Sequence, residues 1–375
     1  MIVCFPFHGG TVGGSHLSTL LLVEGLARCG VRVLIAVHAE GLLTDELSRR
    51  GLPWELVRGV GSSLSNGPVG QALSVGQASP RLARFLRRRN VDVVHTNDAR
   101  MHRLWGVAAH LAGCRHVWHQ RSLGLSRSMT MLARRADQLI AISEYSRSTL
   151  PLPLRRGAQL IDNPFDVDAS FPDRSRARQL LAQELGFPEA SAIVAFVSNS
   201  QQPRKRPEFF LEVAHRLVTS HGLEAVFPLI GLQRWHLADR IRKKIDSLGL
   251  QDQCKSMGPR FPIEPTLAGC DVLIAPALEE PMGRTLVEAM LVGTPVVATN
   301  DGGHVELIDD PETGFLFEPD DVAGCANSVR RLLEDAELWR SVAERARHTA
   351  RRRFSVDRHV TEVCRLYESS MGQMK

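Results

Sequence analysis

Lysine is absent from the first 170 residues of this 375-residue chain. That stretch holds 20 arginines against 12 acidic residues, an excess of +8, while the remainder carries 26 basic against 29 acidic residues. A basic half could meet nucleic acid, but no reader motif is present, and at 6% aromatics few rings are interleaved with the charges. An anionic acceptor or a membrane surface fits this charge better. No apolar run reaches the roughly 18 residues of a membrane span, because Glu24 interrupts the best candidate, Leu17 to Ala27. Seven cysteines, odd in number and far apart, argue against a disulfide framework or a zinc knuckle. The chain enters a strand-like run at Ile2 without a basic leader, so no secretory signal is expected and the cytoplasm is the natural setting. The remaining composition, 43% hydrophobic and 23% charged, is ordinary for a globular protein, and the length favours two domains.

The stretch Asp271 to Phe317 carries the most information. Val272–Ala275 is a short apolar run suited to a buried parallel strand. Pro276 to Gly283 is rich in breakers and leaves the sheet, Arg284 to Leu291 resumes as a helix, and Val296–Ala298 is a second β-branched run. This βαβ unit directs its loop to the sheet edge where such folds bind ligands. N–H groups around Gly283, Arg284 and Thr285 suit an anion such as phosphate. Glu280 and Glu288 bracket that helix start; as carboxylates they would repel phosphate but can accept paired hydroxyls of a sugar or ribose. The spacing alone equally fits a surface ladder, with Arg284 four residues from each glutamate.

Taken in order, Glu280-Pro-Met-Gly283, Glu288-Ala-Met290, Gly293-Thr-Pro-Val-Val297, Gly302-Gly303, Glu306 and Gly314-Phe-Leu316 closely resemble glycosyltransferase family 4. The resemblance implies an α/β chain of GT-B fold, with two Rossmann-like domains facing across a cleft. Residues 1–160 would form the acceptor-side domain and 161–354 the nucleotide-sugar domain, the terminal helix 355–370 packing back on the first. It implies that Glu280 holds donor-sugar hydroxyls and Glu288 the ribose, with main-chain groups of Met282, Gly283, Arg284, Thr285 and Leu286 at the sugar and diphosphate. Lys205 matches the family's phosphate-binding lysine. The partner arginine's position is occupied by Asn199, and Arg204 could substitute. Arg260 falls where relatives touch the nucleobase, and His119 where they place a histidine beside the donor sugar. Gly13 and Gly14, in a glycine loop that lacks the dinucleotide fingerprint, would lie near the phosphates and acceptor.

Elsewhere, Ser15 is a plausible N-cap for the first helix. Residues 60–79 are Gly/Ser-rich and read as a loop. Pro80 would open a helix with Leu82, Phe85 and Leu86 on one face and Arg81, Arg84, Arg87 and Arg88 on the other, a pattern that suits an anionic membrane or plain solvent. Residues 151–172, with four prolines, read as the interdomain linker.

The resemblance implies a retaining transferase moving sugar from a nucleotide-diphosphate donor to the hydroxyl of a glycan or lipid-linked acceptor, in cell-surface polysaccharide, lipopolysaccharide or glycolipid synthesis. No metal or other cofactor and no nucleic-acid partner is expected, and the protein could sit peripherally on the cytoplasmic face. A sugar-nucleotide epimerase of the same fold, or a catalytically silent binding subunit, remains open.

Overall fold

A computed structural model describes residues 1–58, 68–198, 202–231 and 235–371. Two units divide the chain: Met1–Asp166 together with Phe354–Lys375, and Val167–Arg353.

The first unit is built on seven parallel strands. These are β1 (Ile2–Phe7), β2 (Arg32–Val37), β3 (Trp54–Leu56), β4 (Val93–Thr96), β5 (Arg115–Gln120), β6 (Gln138–Ala141) and β7 (Ala158–Leu160). Their order is β3-β2-β1-β4-β5-β6-β7. The strands read as apolar runs because helices cover both faces of the sheet. The terminal helix Val356–Met371 completes this unit: Val360, Val363, Leu366 and Tyr367 share a core with Val3, Phe5 and Ile140. Gly25, on the helix Gly14–Arg28, lets that helix approach closely, since a Cβ there would meet Val360 Cγ2 at 2.4 Å.

The second unit has six parallel strands, β8 (Ala192–Val197), β9 (Ala225–Ile230), β10 (Cys254–Met257), β11 (Val272–Ala275), β12 (Val296–Thr299) and β13 (Phe315–Phe317). Here the order is β10-β9-β8-β11-β12-β13. Each sheet therefore reverses its winding once, between β1 and β4 in the first and between β8 and β11 in the second. At such a switch point two successive loops part to opposite faces and open a crevice at the strands' carboxyl ends.

Three expectations differ from what is observed. The helix expected from Pro80 starts at Pro68 and runs to Arg88 with Pro80 inside it, so residues 68–79 are helical; 59–67 lie outside the described residues. Ala78, Leu82 and Leu86 bury against Met101, Leu104 and Trp105 of the helix Ala99–Ala112, and that packing outweighs the hydrogen bond proline forfeits. The first helix is capped by Gly13 rather than Ser15, and the Gly13 N–H donates to His16 Nδ1 at 3.1 Å. The segment read as linker contains a helix, Leu152–Gly157, and the seventh strand of the first sheet. Among the described residues no helix is long and apolar enough to cross a membrane.

Candidate active site

In the second unit, the chain leaving β8 and the chain leaving β11 meet at the switch point. The first passes through a single 3-10 turn, Pro203–Lys205, before the helix Pro207–His221. The second is 276–283, ahead of the helix Arg284–Val292. They are stitched together by Leu278 N donating to Arg204 O at 2.8 Å and by Arg204 Nη1 donating to Glu279 O at 2.7 Å. On its other side the 276–283 loop is braced by Gly303 N, which donates to Glu280 O at 2.7 Å. Glycine is required there, because a Cβ on Gly302 would sit 2.7 Å from Glu280 N and one on Gly303 would sit 2.7 Å from Met282 Cα.

This bracing aims the Glu280 side chain at the lysine turn. That side chain is 13% exposed, and Oε2 accepts from Lys205 Nζ at 2.6 Å and Arg204 Nη1 at 3.2 Å. Burial pushes the Glu280 pKa upward, but the Lys205 charge and hydrogen bond, with His304 and Arg204, outweigh it and bring the value below the usual carboxylate range. Glu280 is thus held ionised. Arg206, the third residue of the basic run, turns away with φ +54° to pair with Asp320 and lie over the Phe209 ring.

Glu288 differs in environment. It stands one turn into its helix, and Oε1 accepts from Arg284 Nη2 at 3.1 Å. Burial raises its pKa, with Arg284 opposing and Glu264 adding to the rise. Of the two Arg284–glutamate pairings the spacing allowed, the one with Glu288 is present. Lys205, Glu280, Gly283, Thr285, Leu286 and His304 line a shallow concavity floored by the ends of β8 and β11. Met282 and Leu286 are buried, and the helix Arg284–Val292 presents the positive end of its dipole there. Arg260 forms an ion pair with Glu184 and is not among the residues lining the concavity. Asn199 lies outside the described residues.

The first unit carries its own loop cluster. A Cβ on Gly9 would fall 1.7 Å from Ala39 O, so the loop after β1 can take only glycine at that point, where φ is +106°. Gly13 and Gly14 then start the helix Gly14–Arg28. His119, near the end of β5, is fully buried, with Nδ1 3.1 Å from His95 Nε2 and 3.4 Å from Arg121 Nη2. His95 Nδ1 in turn meets the Tyr367 hydroxyl at 2.6 Å. His119 Nε2 has no hydrogen-bond partner among the described residues, and burial followed by the Arg121 charge drives its pKa well below the ordinary value, so the ring is neutral. Arg121 also donates to Asn97 Oδ1 at 2.9 Å and to Asn163, which fixes the turn ahead of Pro164.

Two families match the chain. One described as Glycosyl transferases group 1 covers residues 177–349, and Glycosyltransferase Family 4 covers residues 12–168. Each match lies almost wholly within one of the two units. The chain belongs to glycosyltransferase family 4. Relatives of this family 4 chain include N-acetyl-alpha-D-glucosaminyl L-malate synthase of Bacillus anthracis, 26% identical over 98% of this chain and 95% of that protein. A D-inositol 3-phosphate glycosyltransferase of Salinispora arenicola is 34% identical over 53% of this chain, which spans 46% of that protein's length. Among solved structures, Anabaena Alr3699/HepE in complex with UDP and glucose superposes with a TM-score of 0.83 at 25% identity, over 98% of this chain and 99% of that one. The protein is a glycosyltransferase whose two Rossmann-like units are those of the GT-B fold.

His304 was not singled out from the sequence of this family 4 enzyme, although it follows the Gly302-Gly303 pair directly. It is buried, lines the concavity and stands 3.0 Å from where a Cβ on Gly283 would be; burial lowers its pKa to about 4. The histidine next to a glycine pair in contact with the glutamate loop was the available signal.

Proposed function

We propose that this glycosyltransferase binds a nucleotide-diphosphate sugar at the switch point of its second sheet and transfers the sugar, with retention, to an acceptor hydroxyl. The observation that carries this reading is the arrangement around Glu280: an ionised carboxylate and two cations, side by side at the mouth of the concavity, next to a helix N-terminus. Lys205 and Arg204 are placed to offset the charge that develops on a departing diphosphate, and the helix dipole adds to them. Glu280 accepts hydrogen bonds from hydroxyls of the transferred sugar, while Glu288 takes the ribose. Support for the donor class comes from the UDP and glucose held by the Anabaena relative. Because protein cations serve the diphosphate, no metal is required. Retention follows from departure and attack on the same face, with the leaving diphosphate receiving the acceptor's proton.

The acceptor is a hydroxyl on a glycan or a lipid-linked sugar, in cell-surface polysaccharide or glycolipid synthesis. Exposed Arg81, Arg84, Arg87 and Arg88 would bring the enzyme to an anionic membrane. The apolar face of that helix is already buried in the core, so such attraction rests on charge alone.

The test is a donor and acceptor panel in buffer containing EDTA, with nucleoside diphosphate release and the anomeric configuration of the product followed by NMR. Release that depends on acceptor, with a product of unchanged configuration, is expected. A nucleoside diphosphate at a hundredfold excess over its Kd should also stabilise the protein by about 2.7 kcal/mol without metal. Loss of that binding in EDTA, or an inverted product, refutes the corresponding part.

A further inference from the structure

We infer that Glu280 makes the enzyme discriminate the intact donor from the spent nucleoside diphosphate, by competing with phosphate for Lys205 and Arg204. This inference rests on the donor-site reading above.

The ligand-free arrangement supplies the argument. Both cations reach Glu280 Oε2, at 2.6 Å and 3.2 Å, from a turn some 75 residues earlier in the chain. The main chain that carries the carboxylate is fixed. It is held by Gly303 N, its neighbour Leu278 is tied to Arg204 O, and the approach of Gly302 and Gly303 leaves no room for the loop to shift toward them. A diphosphate that draws Lys205 and Arg204 toward itself therefore takes partners from a largely buried anion. Stripping partners from a buried charge is costly.

The two nucleotide species differ in what they return. An intact donor places sugar hydroxyls beside Glu280, and each hydroxyl can donate to the carboxylate in place of the cations. A bare nucleoside diphosphate brings no donor to that position and adds its own negative charge. Glu280 thus weakens the product more than the substrate, and transfer of the sugar converts a matched ligand into a mismatched one. His304, whose charge state also couples to Glu280, is neutral near pH 7 and supplies no replacement cation.

Isothermal titration of UDP and UDP-glucose against wild type, Glu280→Gln and Glu280→Asp, in metal-free buffer, tests this. Glu280→Gln keeps the side-chain shape and removes the charge. UDP should then bind about fivefold tighter, the worth of a weak ion pair that no longer competes. UDP-glucose should bind no tighter than to wild type, so the preference for donor over product collapses. Glu280→Asp, which draws the carboxylate back by one methylene, should move UDP in the same direction and serves if the glutamine variant does not fold. Repeating Glu280→Gln in an Arg204→Gln, Lys205→Gln background should abolish the tightening. UDP affinity that is unchanged or weaker in both position-280 variants, with wild type binding UDP, overturns the inference, as does full tightening without the two cations. Failure of wild type to bind UDP, ADP or GDP at all overturns the donor-site reading itself and the inference with it.

Discussion

Acidification should unfold the first unit well before its carboxylates titrate. Five histidines, His95, His102, His116, His119 and His359, are buried there. His102 stacks on Trp118 with centroids 3.9 Å apart, and Thr96 Oγ1 sits between His102 Nδ1 at 2.6 Å and His116 Nε2 at 2.8 Å. Burial lowers the His116 pKa to about 4 and the His359 pKa to about 3, and holds those of His95, His102 and His119 well below the ordinary value. The folded state therefore keeps these rings neutral, while the unfolded chain protonates them near pH 6.5. Stability is fully present above pH 6.5 and falls as pH drops from there toward the folded values. At pH 5.5 each ring that is neutral when folded costs about 1.4 kcal/mol, so five give an upper bound of about 7 kcal/mol. That is comparable to the whole stability of a typical domain, about 5–15 kcal/mol. Glu46, whose pKa the Arg49 hydrogen bond lowers to about 2, loses its share only below this window. Urea melts followed by tryptophan emission, at pH 7.5 and 5.5, should differ by several kcal/mol. A constant unfolding free energy, or imidazole NMR titrations in the folded protein near the ordinary value, would refute the reasoning.

Glu288→Ala should weaken binding of the nucleoside diphosphate itself by about 1.5–3 kcal/mol, the worth of hydrogen bonds to a charged group, and unchanged UDP affinity would remove Glu288 from the ribose. Gly303→Ala forces a Cβ to within 2.7 Å of Met282 Cα and Pro281 O, so it should cost about 1–3 kcal/mol in thermal unfolding and weaken donor binding; equal Tm and affinity would show that the loop can yield. Changing Arg81, Arg84, Arg87 and Arg88 to glutamine should remove salt-sensitive sedimentation with anionic vesicles, at about 1 kcal/mol per arginine. Binding indifferent to salt and to these changes would leave the helix as an ordinary solvated face.

Strands and helices of the Asp271–Phe317 block were legible almost to the residue: Val272–Ala275, Arg284–Val292 and Val296–Thr299 follow the apolar runs and the glycines that punctuate them. Such boundaries are written locally, in β-branched residues and breakers. The order of the strands is not, and it is the order that brings Lys205 to Glu280. From spacing, Arg284 was an equally good partner for either glutamate; the helix holds it beside Glu288, while Glu280 meets Lys205 from a distant turn. The helix through Pro80 was misread because its start is decided by burial of Ala78, Leu82 and Leu86 rather than by the proline. The buried histidines are scattered from His95 to His359, and nothing in sequence links them until the sheet and the last helix are assembled.

That last helix has a consequence for how the protein is made. Tyr367 donates or accepts at His95, and Val360 packs against Gly25, yet all of Val167–Arg353 is translated between the first unit's strands and the helix that finishes its core. At roughly 5–20 residues per second, the ribosome needs on the order of ten to forty seconds to deliver that intervening length. Through this interval the groove beside the helix Gly14–Arg28 stays uncovered and apolar. The unit begun first is the one closed last, so a chain cut after Arg353 keeps every strand of the first sheet and still lacks the lid of its core.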